Sequence, residues 1–225
     1  MILAAGRGER MRPLSDARPK PLLEAGGKPL IVWQIEALAC AGFTDLVINV
    51  AHGADALMAT LGDGARLGVR IRWSRESEPL ETAGGIATAS PLLPPGPALI
   101  VSGDINTRFD YRTLAARMDA MAATLEPPRA HLVLVPNPPY HPEGDFALAG
   151  DKVELDGAAR LTFGNIGIYD MALFAGLPRG VKLKMLPLYR EWIARGIVSG
   201  ERYEGHWANV GTPADLAELD AELRS

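Results

Sequence analysis

Ile2-Leu3-Ala4-Ala5-Gly6-Arg7-Gly8-Glu9-Arg10-Met11-Arg12-Pro13-Leu14, with Arg18-Pro19-Lys20-Pro21 close behind, is the stretch on which the reading of this chain turns. The apolar run Ile2–Ala5 predicts a short strand that passes directly into a Gly-x-Gly turn. Gly6 and Gly8 let the backbone come close to a ligand and offer unhindered N–H donors. Arg7, Arg10 and Arg12 surround the turn with positive charge, and Lys20 stands between two prolines. Arg10 can neutralise phosphate oxygens with a planar fork, Lys20 as a point charge. Pro19 and Pro21 stiffen the chain around Lys20, so less entropy is lost when it engages. Strand, glycine turn and fixed cations in this order make a cradle for a polyphosphate.

Other glycine-rich phosphate loops fit less well. No Gly-x-x-x-x-Gly-Lys-Ser/Thr occurs in the chain, which excludes a P-loop NTPase. The dinucleotide fingerprint needs a third glycine three residues after the second, and Met11 stands there.

Beyond this segment the composition is that of a globular domain. The 225 residues are 48% hydrophobic and 22% charged, enough for one large domain with a full core. A single cysteine, Cys40, excludes an internal disulfide framework and fits a reducing, cytoplasmic location. No apolar run approaches the ~20 residues of a membrane span and no charged-then-apolar signal segment is read, so no membrane partner is expected. Met1 opens directly into the first strand, so a residue or two of that strand is expected to precede it. The net charge of −4 argues against a nucleic-acid partner. Residues 1–28 carry +3, which leaves −7 on the rest. An acidic chain with one basic segment suits a focused site for a small polyanion. A monomer or homodimer is expected.

Apolar runs and helical patterns alternate along the first 136 residues. Strands are predicted at Leu46–Val50, Val69–Ser74, Ala98–Ser102 and His131–Val135, and helices at Pro29–Ala41, Ala54–Leu61, Ala83–Leu92 and Tyr111–Thr124. This βαβα order predicts an α/β fold with a mostly parallel sheet and right-handed crossovers. The run Pro136-Asn137-Pro138-Pro139-Tyr140-His141-Pro142 then breaks the pattern. Short strands follow at Phe146–Leu148, Lys152–Leu155, Leu161–Thr162 and Ile166–Tyr169, with helices at Met185–Arg195 and Pro213–Leu223. The C-terminal third is therefore expected to be a smaller α+β subdomain. Trp33, Trp73, Trp192, Cys40 and His131 read as core residues.

Ligands of open α/β sheets sit beyond the carboxyl ends of the strands, where both the Gly6–Gly8 turn and Gly103-Asp104 fall. A carboxylate at the end of a buried strand, with glycine beside it, suits a Mg²⁺ ligand on a nucleotide; the alternative is a loop carboxylate capping the next turn. Gly84-Gly85 ahead of a helix would allow backbone approach to a planar base, while Thr82 could serve as the N-cap of that helix. Thr212-Pro213 reads as a helix start. No Ser-His-Asp or Cys-His arrangement is evident, and the histidines show no metal-ligand spacing.

These residues resemble the sugar-1-phosphate nucleotidyltransferases, whose members are variations on Leu-Ala-Ala-Gly-x-Gly-x-Arg followed by Pro-Lys. The resemblance continues through Glu78–Ile86, Gly103-Asp104-Ile105, Gly144-Asp145-Phe146 and Gly205-His206-Trp207. It implies a Rossmann-like mixed sheet flanked by helices, with residues 1–136 forming the nucleotide-binding half and residues 137–225 the sugar-phosphate-binding part of one domain. It implies a nucleoside triphosphate and a sugar 1-phosphate as partners, with Mg²⁺ as cofactor. UTP and N-acetylmuramate 1-phosphate are the favoured pair. Guanylyl or thymidylyl transfer to mannose, heptose or glucose 1-phosphate is the alternative, and a silent nucleotide-sugar-binding subunit the alternative of another class. Leu3, Ala4, Ala5, Gly6, Gly8, Arg10, Lys20, Glu81, Gly84 and Gly85 would bind nucleotide, with Arg10, Lys20 and Asp104 as the catalytic set. Asp145, Asn165 and Lys184 would meet the sugar phosphate, although on sequence alone Asp145 also suits a turn, Asn165 a strand and Lys184 a solvated surface. Asn209 would join Asp104 as metal ligand, at a position where the closest relatives usually carry aspartate.

Overall fold

The computed structural model describes residues 1–124 and 126–225. In chain order its elements are β1 (Ile2–Leu3), α1 (Leu14–Ala17), β2 (Glu24–Ala25), β3 (Lys28–Pro29), α2 (Leu30–Cys40), β4 (Asp45–Val50), α3 (Ala54–Leu61), β5 (Arg70–Arg75), α4 (Glu81–Ala89), β6 (Pro97–Ser102), β7 (Ile105–Thr107), α5 (Arg112–Ala122), β8 (Ala130–Val135), β9 (Phe146–Ala149), β10 (Lys152–Glu154), β11 (Arg160–Asp170), α6 (Leu186–Ala194), β12 (Val198–Arg202), β13 (Trp207–Asn209) and α7 (Pro213–Arg224).

Among the described residues, nine strands form one sheet in the order β5-β4-β1-β6-β11-β8-β12-β10-β9. β1 lies parallel between β4 and β6, and β5 extends the parallel set. β11 enters antiparallel to both β6 and β8, and β12 runs parallel to β8. Both faces are covered, so the central strands are near-continuous apolar runs. Along β6, Leu99 and Val101 face the core beneath α2, α3 and α5, while Ala98 and Ile100 face the core beneath α4 and α6.

Three expectations change. The C-terminal third does not stand apart as a subdomain, because β9 to β12 continue the same sheet and β11 lies inside it. The two short strands expected at 161–162 and 166–169 are one strand, β11, broken by a register shift between Phe163 and Gly167. Cys40, expected in the core, is exposed at the end of α2. Trp192 and His131 are buried as expected. Trp33 and Trp73 are half-buried, their indole N–H groups donating to the Ala25 and Gly62 carbonyls. β7 and β13, unread in the sequence, pair as an antiparallel ribbon over the carboxyl end of the sheet. No helix among the described residues is long and apolar enough to cross a membrane.

Candidate active site

A cleft of about 360 Å³ opens where β1, β4 and β6 end, walled by Leu3, Ala5, Gly6, Asn49, Glu81 and Asp104 among others. The turn after β1 behaves as its glycines require. A Cβ on Gly6 would meet nothing within 4 Å, so that face of the turn is open. Gly8 is left-handed at φ 64°, and a Cβ there would stand 3.0 Å from the Lys20 Cβ. The turn can therefore lie against the Lys20 stem only because residue 8 is glycine. Glu81 also lines the cleft at φ +62°, a conformation rare for residues other than glycine.

A buried polar chain holds this rim. The Ala4 N–H donates to Asn49 Oδ1 at 2.9 Å, and Asn49 Nδ2 donates to Glu76 Oε1 at 2.7 Å. Glu76 Oε2 accepts from the Leu80 N–H at 3.1 Å. Burial raises the Glu76 pKa above the usual carboxylate range, against the opposing effect of those two hydrogen bonds. Asn49 and Glu76 escaped the sequence reading. The available signal was a polar residue inside the apolar strand Leu46–Val50, since a buried amide needs partners.

Three residues expected to bind nucleotide, Ala4, Gly84 and Gly85, lie outside the lining of this cleft. The Ala4 N–H is taken by Asn49 and its side chain is buried, so Ala4 does not face the cleft. Gly84 and Gly85 pack closely against other parts of the protein. The Gly84 N–H donates to the Leu183 carbonyl at 3.2 Å, and a Cβ on it would run into the Val181 carbonyl oxygen. A Cβ on Gly85 would stand 2.8 Å from Asn49 Nδ2. These glycines seat α4 against neighbouring protein. Thr82 is not the N-cap either, because α4 begins at Glu81 and Leu80 stands at the N-cap position, with no side-chain cap.

A second cleft of about 430 Å³ lies beside the first, between Arg10, Tyr140, Asp145, Asn165, Trp207 and Asn209. The expected acceptor residues Asp145 and Asn165 both reach it. Asp145 Oδ2 accepts from the Phe163 N–H at 2.8 Å, and its Oδ1 lies 3.1 Å from His141 Nε2. Asn165 sits at the β11 irregularity with φ +57°, and the Trp207 indole holds the preceding Gly164 carbonyl at 2.9 Å. Burial raises the Tyr140 phenol pKa, which its hydrogen bond to Asn209 opposes. Lys184 is exposed and lines neither cleft; its neighbour Lys182 pairs with Glu78. A chamber of about 120 Å³ shares Leu3, Thr82 and Ser102 with the first cleft and Phe163, Asn165 and Tyr189 with the second.

Asp104 lines the first cleft and Asn209 the second. The β7–β13 ribbon pairs Asn209 with Ile105, and the Val210 N–H donates to the Asp104 carbonyl at 3.0 Å, which sets Asn209 beside Asp104. The ribbon is fixed from below: Gln34 Nε2 donates to the Ile105 carbonyl, and Gln34 Oε1 accepts from the buried Tyr111 hydroxyl, each at 2.7 Å. Lys20 Nζ donates to Asp104 Oδ2 at 2.6 Å. The Arg10 guanidinium stands 3.3 Å from where a Gly211 Cβ would lie, on the second-cleft side of the junction. One carboxylate and one amide oxygen suit Mg²⁺, which takes few protein ligands and completes its shell with phosphate and water. No group of three His, Cys, Asp or Glu side chains fit to hold a metal occurs among the described residues, so phosphate oxygens would have to fill the remaining positions.

Residues 1–137 match the family model described as nucleotidyl transferase. The chain is 46% identical to an N-acetylmuramate alpha-1-phosphate uridylyltransferase from Neisseria meningitidis serogroup B, over 98% of this chain and 96% of that protein. It is 35% identical to a protein of the same name from Caulobacter vibrioides, over 100% and 95%. The solved inositol-1-phosphate CTP transferase from T. maritima superposes with a TM-score of 0.76 at 17% identity, covering 100% of this chain and 95% of that one, and so shares the fold.

Proposed function

The chain belongs to the nucleotidyl transferase family, and from that premise we propose that it joins UTP to N-acetylmuramate α-1-phosphate, giving the UDP-sugar and pyrophosphate. The observation that carries this reading is the adjacency of two clefts, one lined by Asp104, which Lys20 pairs with, and the other by Asn209. One cleft bears the glycine turn suited to a triphosphate, and the other bears Asp145 and Asn165, suited to hydroxyl and amide groups of a sugar. The two relatives above, matched over nearly their whole lengths, support the choice of pair.

A non-bridging oxygen of the sugar phosphate forms the new bond to the α-phosphorus while the bond from that phosphorus to pyrophosphate breaks. The attacking oxygen is already ionised near neutral pH, so no protein base is needed. Catalysis is then alignment and charge neutralisation. Lys20, hydrogen-bonded to Asp104 of the first cleft, neutralises triphosphate oxygens, and Arg10 neutralises phosphate charge from the second. Asp145, oriented by the Phe163 N–H, accepts from sugar hydroxyls. Asp104 and Asn209 would hold Mg²⁺, which when bound supplies further charge neutralisation at the α-phosphate.

Pyrophosphate release measured with Mg²⁺ across five nucleoside triphosphates and four sugar 1-phosphates tests the reading. UTP with N-acetylmuramate α-1-phosphate is expected to be strongest, and Asp104→Ala to lower its rate at least ~10²-fold. No release with any pair, while UTP still binds, would overturn the reaction; a different best pair would overturn the choice of substrates.

A further inference from the structure

The two residues assigned to opposite tasks at the junction hold each other. Lys20 Nζ lies 2.6 Å from Asp104 Oδ2, with the side chains only 11% and 29% exposed. An ion pair this sheltered is weakly screened by water and salt. While it stands, Lys20 cannot serve a phosphate, and one Asp104 oxygen is not open to a divalent cation. The backbone of Lys20 is anchored: residues 20–22 form a helical turn, Gly8 packs against the lysine stem, and Pro19 packs against Gly53. Release therefore needs only a rotation of the side chain. No cluster of three acidic, His or Cys side chains among the described residues could hold a cation without help.

We propose that Lys20 is the resident counter-ion of Asp104, and that the incoming triphosphate withdraws it so that a divalent cation takes its place. Nucleotide and cation binding are then thermodynamically coupled through this one exchange. Each anion keeps a cation throughout: Asp104 passes from ammonium to metal as the phosphates gain the ammonium. The inference rests on the reading of Asp104 as a cation ligand, and it makes Lys20 a built-in competitor of the metal in the free enzyme.

Mn²⁺ binding to the full, nucleotide-free chain, followed by the electron paramagnetic resonance signal of free Mn²⁺, tests it. Lys20→Met is expected to bind Mn²⁺ about tenfold more tightly than wild type, because a unit positive charge beside the ligand has gone. Lys20→Gln provides a second variant with the same expectation, and circular dichroism checks that each is folded. In the double variant Lys20→Met/Asp104→Asn the gain is expected to vanish. Mn²⁺ affinity in both lysine variants no tighter than wild type would overturn the exchange while leaving Asp104 as a ligand once nucleotide is bound. A gain that survives Asp104→Asn would overturn both the exchange and the assignment of Asp104.

Discussion

Asn209 shows how far a single residue can be read. The family resemblance marked it as a departure from aspartate, and the β7–β13 ribbon pairs it with Ile105, next to Asp104. Restoring the carboxylate by Asn209→Asp puts a second negative charge at the junction. The Mg²⁺ concentration for half-maximal pyrophosphate release is then expected to fall about three- to tenfold at fixed UTP, since charge count tunes affinity at oxygen sites. A titration showing no fall would remove Asn209 from the ligand set. Gly6, Gly8, Lys20 and Asp104 were legible because their chemistry is local: a turn needs glycine, and a strand end presents a carboxylate. The packing around Ala4, Gly84 and Gly85 was not legible, for the opposite reason. Which partner accepts a backbone N–H is decided by residues far along the chain, here Asn49 and Leu183. Glu81 and Asn165 are the non-glycine residues with positive φ among the described residues, and both line a cleft. Such strain cannot be seen in a residue name, and it gathers at functional sites.

At the scale of elements, α4 carries a conflict between local and tertiary preference. Glycine inside a helix is ordinarily less favourable than alanine by roughly 0.5–1 kcal/mol. An isolated α4 would therefore gain from Gly84→Ala. In the fold the added methyl would meet the Val181 carbonyl, which is backbone and cannot swing away as a flexible side chain would. The variant is expected to lose about 1–3 kcal/mol of stability in urea unfolding. Unchanged or increased stability would mean that the 181–183 segment moves freely, and that these glycines are not what seats the helix. Long periodic elements were the most legible, as α3 shows by matching its expected span Ala54–Leu61. β7 and β13 are three residues each, too short to establish a period of two. β11 looked like two strands because Gly164 and Asn165 interrupt its apolar pattern, while ladder pairing resumes at Gly167.

At the scale of the molecule, the expected division into a nucleotide half and an acceptor part does not divide the sheet. β8 closes the first 136 residues in sequence, yet its neighbours are β11 and β12, both from the C-terminal part. On the other side of β11, β6 pairs with it from Val101↔Ile166 through Pro97↔Asp170. A fragment of residues 1–136 would leave β8 without a partner strand and expose one edge of β6, with apolar side chains uncovered on both faces. Unpaired backbone and uncovered core at the centre of a sheet are costs that a marginally stable domain cannot absorb. The full chain is therefore expected to unfold in urea in one transition, with circular dichroism and tryptophan fluorescence coinciding, while fragment 1–136 gives no dispersed amide spectrum. A folded fragment, or two separated transitions, would show that the acceptor part is an appendage. A single transition would mean that the clefts on either side of Asp104 are walls of one cooperative unit, which is what holding two phosphates in line for transfer requires.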